Sequence, residues 1–407
     1  MRSARIAGEL AVFFVRFVAV AMSYRHGFRQ VVVGKLTPLC QRLGGAFPKA
    51  GQILSTRPDL LSADVCEALA RLQDDAGPLP WRVLLPAIEN SSGRAAITDV
   101  DTRPVASASI AQVHRARRSD GRAIALKIRR PNVQEEMEAD CRLVRFFGRF
   151  VARLPVAKSF PVNDAIVDVG AVLLRQTDFT LEASNHARLQ RMFEGNADVL
   201  IPALHGDLCT ADMLVMDFIP GLKKLGDASL PHAQACAALV VGLRALYRMI
   251  FEDGFIHLDM HPGNVLVAAD GRLVLLDAGF MAEISSETRK AFAEFFLAIA
   301  LRDGHTAARI VRTTAFRLPV DLDVAAFDQE IALLISQTAG LKAAEFQVTG
   351  FVHELFAIQR RHRIFGTSQF TLIILALLVY EGTAKQRYPD LDFQQEAVPF
   401  VIRGLAK

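Results

Sequence analysis

The chain has 407 residues, of which 51% are apolar and 22% charged, and its formal net charge is +4. This length supports two or three domains with a large buried core, which excludes a peptide or a disulfide-stapled mini-domain. The net charge is too small to indicate a nucleic-acid-binding protein, whereas a mean hydropathy of +0.25 is high for a water-soluble globule and indicates contact with a membrane or a lipid. The five cysteines are scattered without CxxC spacing, so they encode neither a disulfide framework nor a zinc site and indicate a reducing compartment.

The N-terminal fifty residues are strongly basic, with eight Lys and Arg against a single acidic residue, Glu9. They predict a cytoplasmic protein that lies peripherally on the anionic inner face of the membrane, with a solvated basic surface as the alternative. The apolar run at residues 10–22 contains Arg16 and is shorter than the about 20 residues of a spanning helix, so we expect it to lie in the membrane interface. A second apolar run, 370–380, is predicted to be a buried core helix. No transmembrane span is predicted.

The first half of the chain begins with helices and continues with strands. Residues 1–100 hold short amphipathic helices separated by Pro and Gly. Two alternating strands follow at 112–116 and 123–128, joined by a Ser-Asp-Gly turn that predicts a β-hairpin. Residues 132–192 are predicted to form long helices interrupted at two prolines.

The second half of the chain is predicted to be mostly helical. A short strand at 213–219 precedes a helix at 235–252, and strands at 265–267 and 273–276 form a hairpin across an Asp-Gly turn. A small antiparallel sheet followed by helices predicts an α+β fold with two lobes. The predicted domains are a helical extension at 1–100, a sheet lobe with a helical insertion at 101–216, and a helical lobe at 217–407.

The polar stretch HLDMHPGN, His257–Asn264, carries the strongest chemical signal. Asp259 stands five positions before Asn264, and Asp277-Ala-Gly begins 13 residues after Asn264. Phosphoryl transfer from ATP needs a carboxylate at the acceptor hydroxyl and oxygen ligands for Mg²⁺. The spacing therefore predicts Asp259 as the base and Asn264 and Asp277 as metal ligands. A polar loop that only caps turns is the alternative, and His257 and His261 are interpreted as structural.

Two upstream segments stand in the order that this chemistry requires. Ala106–Val113 has the spacing of a glycine-rich nucleotide loop with Ala in place of every Gly. Lys127 corresponds to the strand lysine that pairs with the α- and β-phosphates of ATP. Farther on, the backbone groups of Asp217 and Ile219, between the two lobes, are candidates to bind adenine. The candidate phosphate-binding residues of the loop are Ala106, Ser107, Ala108 and Ser109.

With these features in one order, the chain resembles the UbiB-like, AarF-related family of atypical kinases. The alanine-rich loop, the KxGQ motif at Lys49–Gln52 and the HxDxHPGN loop at His257–Asn264 are typical of that family. Asp178–Asn185 matches its ExD and EAxN region, and Leu377–Pro389 resembles its final helix. The resemblance extends over about residues 35–390 of the printed sequence.

The resemblance implies a bilobal protein-kinase-like fold whose N-terminal helical extension lays the KxGQ segment across the active site. It implies ATP and Mg²⁺ as cofactors, a prenylated quinone intermediate or another membrane lipid as a partner, and contacts with proteins of quinone biosynthesis. It also implies that Glu182 pairs with Lys127. The implied regulatory residues are Lys49, Gly51, Gln52 and Asp178.

Two residues depart from the pattern of the family. Gln176 replaces the Glu of ExD, so any salt bridge from Lys49 to that position is lost. Ala278 replaces the aromatic residue of Asp-Phe-Gly, which keeps the metal carboxylate and changes what packs behind it.

Three functions are compatible with these observations. The leading one is an ATP- and Mg²⁺-dependent atypical kinase or ATPase that supports the biosynthesis or handling of an isoprenoid quinone or a related membrane lipid. The second is a small-molecule phosphotransferase of the aminoglycoside-kinase type, against which the KxGQ motif and the alanine loop argue. The third is a nucleotide-binding lipid scaffold without turnover, which the two departures motivate.

Overall fold

The computed structural model describes residues 6, 8–9, 28–61, 63–72, 77–91, 93–153, 162–338 and 347–406. The chain divides into a sheet unit, Met1–Ser184 with Ala203–Phe218, and a helical unit, Asn185–Pro202 with Ile219–Lys407. An antiparallel sheet in the first and predominant helices in the second confirm the predicted α+β class. The interfacial prediction for residues 10–22 lies outside the described residues.

The helices of the described residues are α1 Phe28–Leu43, α2 Ala46–Ser55, α3 Ala63–Ala70, α4 Trp81–Glu89, α5 Val133–Val151, α6 Val162–Arg175, α7 Phe179–Met192, α8 His232–Tyr247, α9 Ser286–Ala300, α10 Gly304–Thr313, α11 Val324–Thr338, α12 Val348–Arg361, α13 Ser368–Ala384 and α14 Phe393–Leu405. The strands are β1 Ile97–Thr98, β2 Ala106–Ser107, β3 Ala111–Arg118, β4 Ala123–Arg129, β5 Val199–Leu200, β6 Met213–Asp217, β7 Lys223–Lys224, β8 Phe255–His257, β9 Val265–Val267, β10 Leu273–Leu275, β11 Met281–Glu283, β12 Ala315–Arg317 and β13 Phe365–Gly366.

The sheet unit contains an antiparallel sheet with the strand order β1-β3-β4-β6, and β2 pairs with β3. The predicted hairpin is confirmed, because β3 and β4 pair along their length. Ile124, Leu126 and Ile128 on one face of β4 are buried in a core shared with α4. Since side chains alternate along a strand, Lys127 extends from the opposite face.

The helices of the N-terminal extension have a core of their own. Leu39, Leu43 and Leu69 of α1 and α3 are buried together with Ile6, and Leu143 and Val144 of α5 pack against this cluster. The described part of residues 1–100 is therefore mostly helical, and its helices share an apolar core.

The helical unit is built around one large apolar core that α8 to α14 share. The apolar run 370–380 lies within α13 and is mostly buried, as predicted. In the described part of the chain, His232–Asp253 is long and apolar enough to cross a membrane, but 61% of its most apolar window is buried in this core. Burial of this kind is typical of a core helix of a globular protein.

Two strand pairs of the helical unit position the polar loops. β8 pairs with β11, and β9 pairs with β10 in the predicted hairpin. The loop 258–264 connects β8 to β9, and the loop 276–280 connects β10 to β11. Because each loop joins the same two strand pairs, the fold places the two loops side by side.

Candidate active site

Backbone hydrogen bonds fasten the two polar loops of the helical unit to each other. The N–H of Leu276 donates to the carbonyl oxygen of Asn264 at 3.2 Å, and the N–H of Leu258 donates to the carbonyl oxygen of Phe280 at 3.0 Å. Asn264 and Asp277, which the sequence places 13 residues apart, are therefore neighbours in the fold.

The buried His257 links the backbones of the proposed base and of a proposed metal ligand. The N–H of Asp259 donates to Nδ1 of His257 at 3.1 Å, so Nδ1 carries no proton. The proton is then on Nε2, which donates to the carbonyl oxygen of Asp277 at 2.6 Å. Burial lowers the pKa of His257 and keeps the ring in this neutral form. His257 is structural, as interpreted from the sequence, and it fixes the two loops relative to each other.

The side chain of Asn264 orients the carboxylate of Asp259. Its Nδ2 donates to the backbone oxygen of Asp259 at 3.0 Å and to Oδ2 of that residue at 3.2 Å. With the amide nitrogen turned towards Asp259, Oδ1 of Asn264 is the atom suited to a cation. Asp277 is oriented in turn by the N–H of Gly279, which donates to its Oδ1 at 2.7 Å.

The oxygen donors of this site fit Mg²⁺ rather than a metal held by protein alone. Mg²⁺ is usually bound through one or two carboxylates together with substrate phosphates and water. Among the residues that the structure describes, no group of three or more His, Cys, Asp or Glu side chains could hold a metal ion. An amide oxygen and one carboxylate, from Asn264 and Asp277, therefore suit a cation that arrives with nucleotide phosphates.

His261 lies beside the proposed base. Its Nδ1 accepts the N–H of Gly263 at 2.9 Å, and its Nε2 lies 3.5 Å from Oδ2 of Asp259. A Cβ at position 263 would lie 2.5 Å from Cε1 of His261, so the ring fits only because residue 263 is glycine. Besides the structural role interpreted from the sequence, His261 is thus a polar neighbour of the Asp259 carboxylate.

Helix α13, which carries the family-like C-terminal motif, contacts the loop 258–264. Oγ1 of Thr383 lies 3.4 Å from the carbonyl oxygen of Met260 and 3.3 Å from that of Val379, and its one proton is shared between them. The fully buried Tyr380 donates to the carbonyl oxygen of Leu239 at 2.6 Å and anchors α13 to α8. This contact between α13 and the loop joins positions 123 residues apart, which no local pattern in the sequence predicts.

Asn185 supports the Asp-Ala-Gly segment from a third direction within the helical unit. Its Nδ2 donates to the carbonyl oxygen of Ala278 at 3.1 Å. The sequence identifies Asn185 only as part of a family motif and assigns it no contact. The geometry makes it a positioning residue for the segment that begins at Asp277.

In the sheet unit, the implied pair between Lys127 and Glu182 is present. Nζ of Lys127 lies 2.6 Å from Oε1 of Glu182, whose side chain is only 2% exposed. The ammonium also lies 5.5 Å from the ring centroid of Phe179. Asp178 directly precedes helix α7, and its Oδ1 accepts the N–H of Leu181 in the first turn at 3.0 Å. The carboxylate of Asp178 therefore caps the helix that carries Glu182.

The alanine loop is a tight hairpin that an arginine holds in place. The N–H of Ala108 donates to the carbonyl oxygen of Ala111 at 2.9 Å. The guanidinium of Arg130 donates to the carbonyl oxygen of Ala108 at 2.7 Å and to Oγ of Ser107 at 2.8 Å. Sequence reasoning missed Arg130, since an arginine at the end of a strand is ordinarily solvated.

Two residues of the KxGQ motif fasten α2 to the end of α3. Nε2 of Gln52 donates to the carbonyl oxygen of Leu72 at 3.1 Å. A Cβ on Gly51 would lie 2.2 Å from Cδ1 of Leu72, so the helices approach closely only because residue 51 is glycine. Lys49 is half-buried on the same helix. Among the described residues, Oε1 of the buried Gln176 has no hydrogen-bond partner, so Lys49 does not donate to it.

The two candidate adenine-binding residues belong to different units. The N–H of Asp217 donates to the carbonyl oxygen of Ala203 at 2.9 Å, and its carboxylate accepts from Nε2 of His205 at 2.9 Å. The backbone N–H of Asp217 is thus already bonded within the sheet unit, and its carbonyl oxygen is the group that could meet adenine. Ile219 packs within the helical unit, in the small cluster of Leu266 and Val274.

Comparison with known proteins gives consistent results. Residues 71–311 match the ABC1 atypical kinase-like domain. A protein of Shewanella woodyi named probable protein kinase UbiB is 32% identical over 385 residues, which cover 92% of this chain and 70% of the relative. The protein of the same name from Vibrio cholerae serotype O1 is 32% identical over 378 residues, covering 90% of this chain and 69% of the relative.

A solved structure shows the same fold. The complex of Rv3197 with erythromycin from Mycobacterium tuberculosis superimposes with a TM-score of 0.62 at 18% identity, and covers 93% of this chain and 97% of that one. Together with the family match, this likeness confirms the expected kinase-like fold.

Proposed function

The chain belongs to the ABC1 atypical kinase-like family that includes the UbiB proteins, and from this premise we propose that it is an ATP- and Mg²⁺-dependent kinase or ATPase. We propose further that it supports the biosynthesis or handling of an isoprenoid quinone or a related membrane lipid. The observation that carries the catalytic part is the neutral His257, which joins the backbones of Asp259 and Asp277 through its two ring nitrogens.

The candidate site residues of the helical unit would each have a separate role in phosphoryl transfer. Asp259, held by Nδ2 of Asn264, would accept the proton of the attacking hydroxyl or water. Oδ1 of Asn264 and the carboxylate of Asp277 would hold Mg²⁺. When bound, Mg²⁺ neutralises charge that develops on the phosphate oxygens. His257 and Asn185 keep these groups in place, which favours a preorganised site.

The residues of the sheet unit supply the complementary positive charge. Lys127, held in place by Glu182, would pair with the α- and β-phosphates. The alanine loop, held by Arg130, would offer backbone N–H groups to the phosphates from a stiffer hairpin than a glycine loop forms.

The lipid part of the proposal is supported by the names of the relatives and by composition. Two relatives are named UbiB, and the mean hydropathy of +0.25 is high for a water-soluble protein. We propose a prenylated quinone intermediate or another membrane lipid as the partner, together with proteins of quinone biosynthesis. The protein would reach such a lipid as a peripheral protein on the cytoplasmic face of the membrane.

The proposed activity is tested by measuring ATP hydrolysis by the purified full chain with and without Mg²⁺, and with and without anionic liposomes. We expect turnover that needs the metal and that Asp259→Asn reduces by at least about 100-fold, the usual contribution of a general base. ATP that raises the melting temperature without any turnover would contradict this proposal and favour the nucleotide-binding scaffold.

The metal assignment is tested by measuring the affinity for ATP with and without Mg²⁺ in Asp277→Asn. We expect the Mg²⁺-dependent part of the affinity to be lost, because the metal loses its charged ligand. Asp270→Asn is the matched control, since Asp270 is a carboxylate of the neighbouring hairpin turn that pairs with Arg272. An unchanged Mg²⁺ dependence in Asp277→Asn would overturn the assignment.

A further inference from the structure

The C-terminal half of α5 exposes two neighbouring aromatic side chains. Phe146 is 54% exposed and Phe150 is 42% exposed. Their ring centroids lie 5.2 Å apart, and the ring of Phe147 lies 5.5 Å from that of Phe146. A single exposed apolar residue is ordinary, but adjacent exposed aromatic rings form a patch that marks an interaction site.

Four exposed arginines surround this aromatic patch. They follow the periodicity of the helix, so that they share one face with the two phenylalanines. Arg142 forms an ion pair with Glu138 at 3.6 Å. Among the described residues, no carboxylate forms an ion pair with the other three, and the guanidinium of Arg153 lies 5.7 Å from the ring centroid of Phe150. The four arginines are Arg142, Arg145, Arg149 and Arg153.

The opposite face of α5 fixes the helix to the sheet unit. Met137 and Cys141 are buried in a cluster with Val169 and Leu173 of α6. The arginine–phenylalanine face, defined as the four arginines with Phe146 and Phe150, is therefore presented by a helix that is already folded and packed. Little ordering is needed for such a face to bind a partner.

We propose that the arginine–phenylalanine face of α5 docks the protein on a bilayer that contains anionic phospholipid. Arginines are attracted to the negative surface and donate hydrogen bonds to phosphate groups, while exposed phenylalanines enter the boundary of the acyl chains. Three of the four arginines have no ion pair with the described carboxylates, and this positive charge together with aromatic rings on one helix face is the chemistry that such a surface selects.

The position of the N-terminal segment agrees with this assignment. Ile6 is fully buried in the same cluster against which Leu143 and Val144 of α5 pack. Ile6, which precedes the apolar run 10–22 by four positions in the sequence, is therefore held in a cluster that α5 shares. The docking surface adds a second contact with the same membrane and does not depend on nucleotide or metal binding.

The docking surface is tested by flotation of the full chain with vesicles of phosphatidylcholine, alone or with about one third phosphatidylglycerol, a fraction that gives a strongly negative surface. Each arginine near such a surface contributes about fivefold to partitioning, so Arg145→Gln with Arg149→Gln is expected to lower the partition coefficient about 25-fold. Phe146→Ser with Phe150→Ser is expected to lower it by at least about tenfold, also at high salt, because burial of aromatic rings is not screened.

Matched control variants change the same residue types elsewhere on the surface. Arg71→Gln with Arg122→Gln removes two arginines of the sheet unit that are 74% and 70% exposed. Phe316→Ser removes a phenylalanine that is 80% exposed in the helical unit. Both controls are expected to float like the wild-type protein, and all variants are expected to keep its melting temperature and its affinity for ATP.

Four outcomes would overturn the proposal. In the first, the wild-type protein does not float with the vesicles, and in the second it floats equally well with and without phosphatidylglycerol. In the third, the α5 variants float like the wild type. In the fourth, the α5 variants abolish a dimer that sedimentation detects in the wild type. The third outcome would assign membrane contact to another segment such as residues 10–22, and the fourth would make the face a protein interface. Since ATP affinity is measured on the same samples, failure of this proposal is distinguishable from failure of the proposed catalytic function.

Discussion

The two units of this protein hold their candidate functional residues in different ways. In the helical unit, Asp259, Asn264 and Asp277 come from two loops that are close in the sequence, and His257 connects those loops directly. In the sheet unit, the pair of Lys127 and Glu182 joins residues 55 positions apart. The local arrangement depends on short strands and turns, whereas the long-range one depends on how separate helices pack.

The apolar cores of the two units differ in the same sense. Most of the helical unit shares one continuous buried cluster, but the described residues of the sheet unit form four separate clusters. Segments with fewer buried apolar contacts open at lower free energy than segments within a large continuous core. We therefore expect the site of the helical unit to be preformed. In the sheet unit, we expect substitutions between packed helices to affect function.

Breaking the buried ion pair tests the long-range arrangement most severely. Lys127→Met leaves the carboxylate of Glu182 buried without its charged partner, and should lower the free energy of unfolding of the sheet unit by about 3–5 kcal/mol. Urea denaturation measures the loss. The double variant Lys127→Met with Glu182→Leu should regain most of that stability without regaining affinity for ATP. A double variant as unstable as the single one would contradict the view that the unpaired charge causes the loss.

The close approach of α2 to α3 gives a smaller effect. Gly51→Ala places a Cβ 2.2 Å from Cδ1 of Leu72, and should destabilise the protein by about 1–3 kcal/mol, the usual cost of overpacking. Adding Leu72→Ala should relieve the clash and recover part of that loss. Urea denaturation measures this loss of stability. The affinity for ATP is measured on the same variants, because the candidate site of the helical unit should keep its local geometry when α2 moves.

Gly34→Ala is the matched control for this substitution. Gly34 lies in α1 and a Cβ there has nothing within 4 Å. The change to Ala should therefore be neutral or stabilise the helix by up to about 1 kcal/mol. If Gly51→Ala behaved in the same way, the KxGQ glycine would have no packing role.

The same comparison explains how much the sequence could predict. The hairpins, the core helix at 370–380 and the order of helices and strands follow from alternation, turn residues and periodicity, which are local properties. The positions of Asp259, Asn264 and Asp277 in two neighbouring loops also follow, because one predicted hairpin, β9 with β10, separates the two loops. The pair of Lys127 and Glu182 was implied by the family resemblance alone.

The remaining contacts could not be predicted because their partners are far apart in the sequence. Arg130 reaches the alanine loop from the end of β4, and Asn185 reaches Ala278 across 93 positions. Thr383 meets the loop 258–264 only because α13 is packed in the core of the helical unit. No pattern within a short window distinguishes these side chains from solvated ones.

The smallest expected effect concerns the local arrangement and develops only in acid. Burial lowers the pKa of His257 below its ordinary value of 6.5, so the unfolded chain takes up a proton near pH 6.5 that the folded helical unit does not. Its free energy of unfolding should therefore fall as the pH drops from about 6.5 towards the pKa of the folded state. Urea midpoints at about pH 7.5 and about pH 5.5, on either side of the unfolded value, measure this slope.

Two histidine variants separate the site from the rest of the helical unit in this measurement. Burial also lowers the pKa of His353, which contributes to the same slope. Gln in place of either histidine should flatten the slope, but only His257→Gln should also weaken Mg²⁺-dependent binding of ATP, since only His257 bonds the backbones of Asp259 and Asp277. A full slope retained in His257→Gln would mean that this ring is not held neutral by the fold. Unchanged ATP binding in that variant would mean that the two loops keep their positions without it, and the local arrangement would then rest on the strand pairs alone.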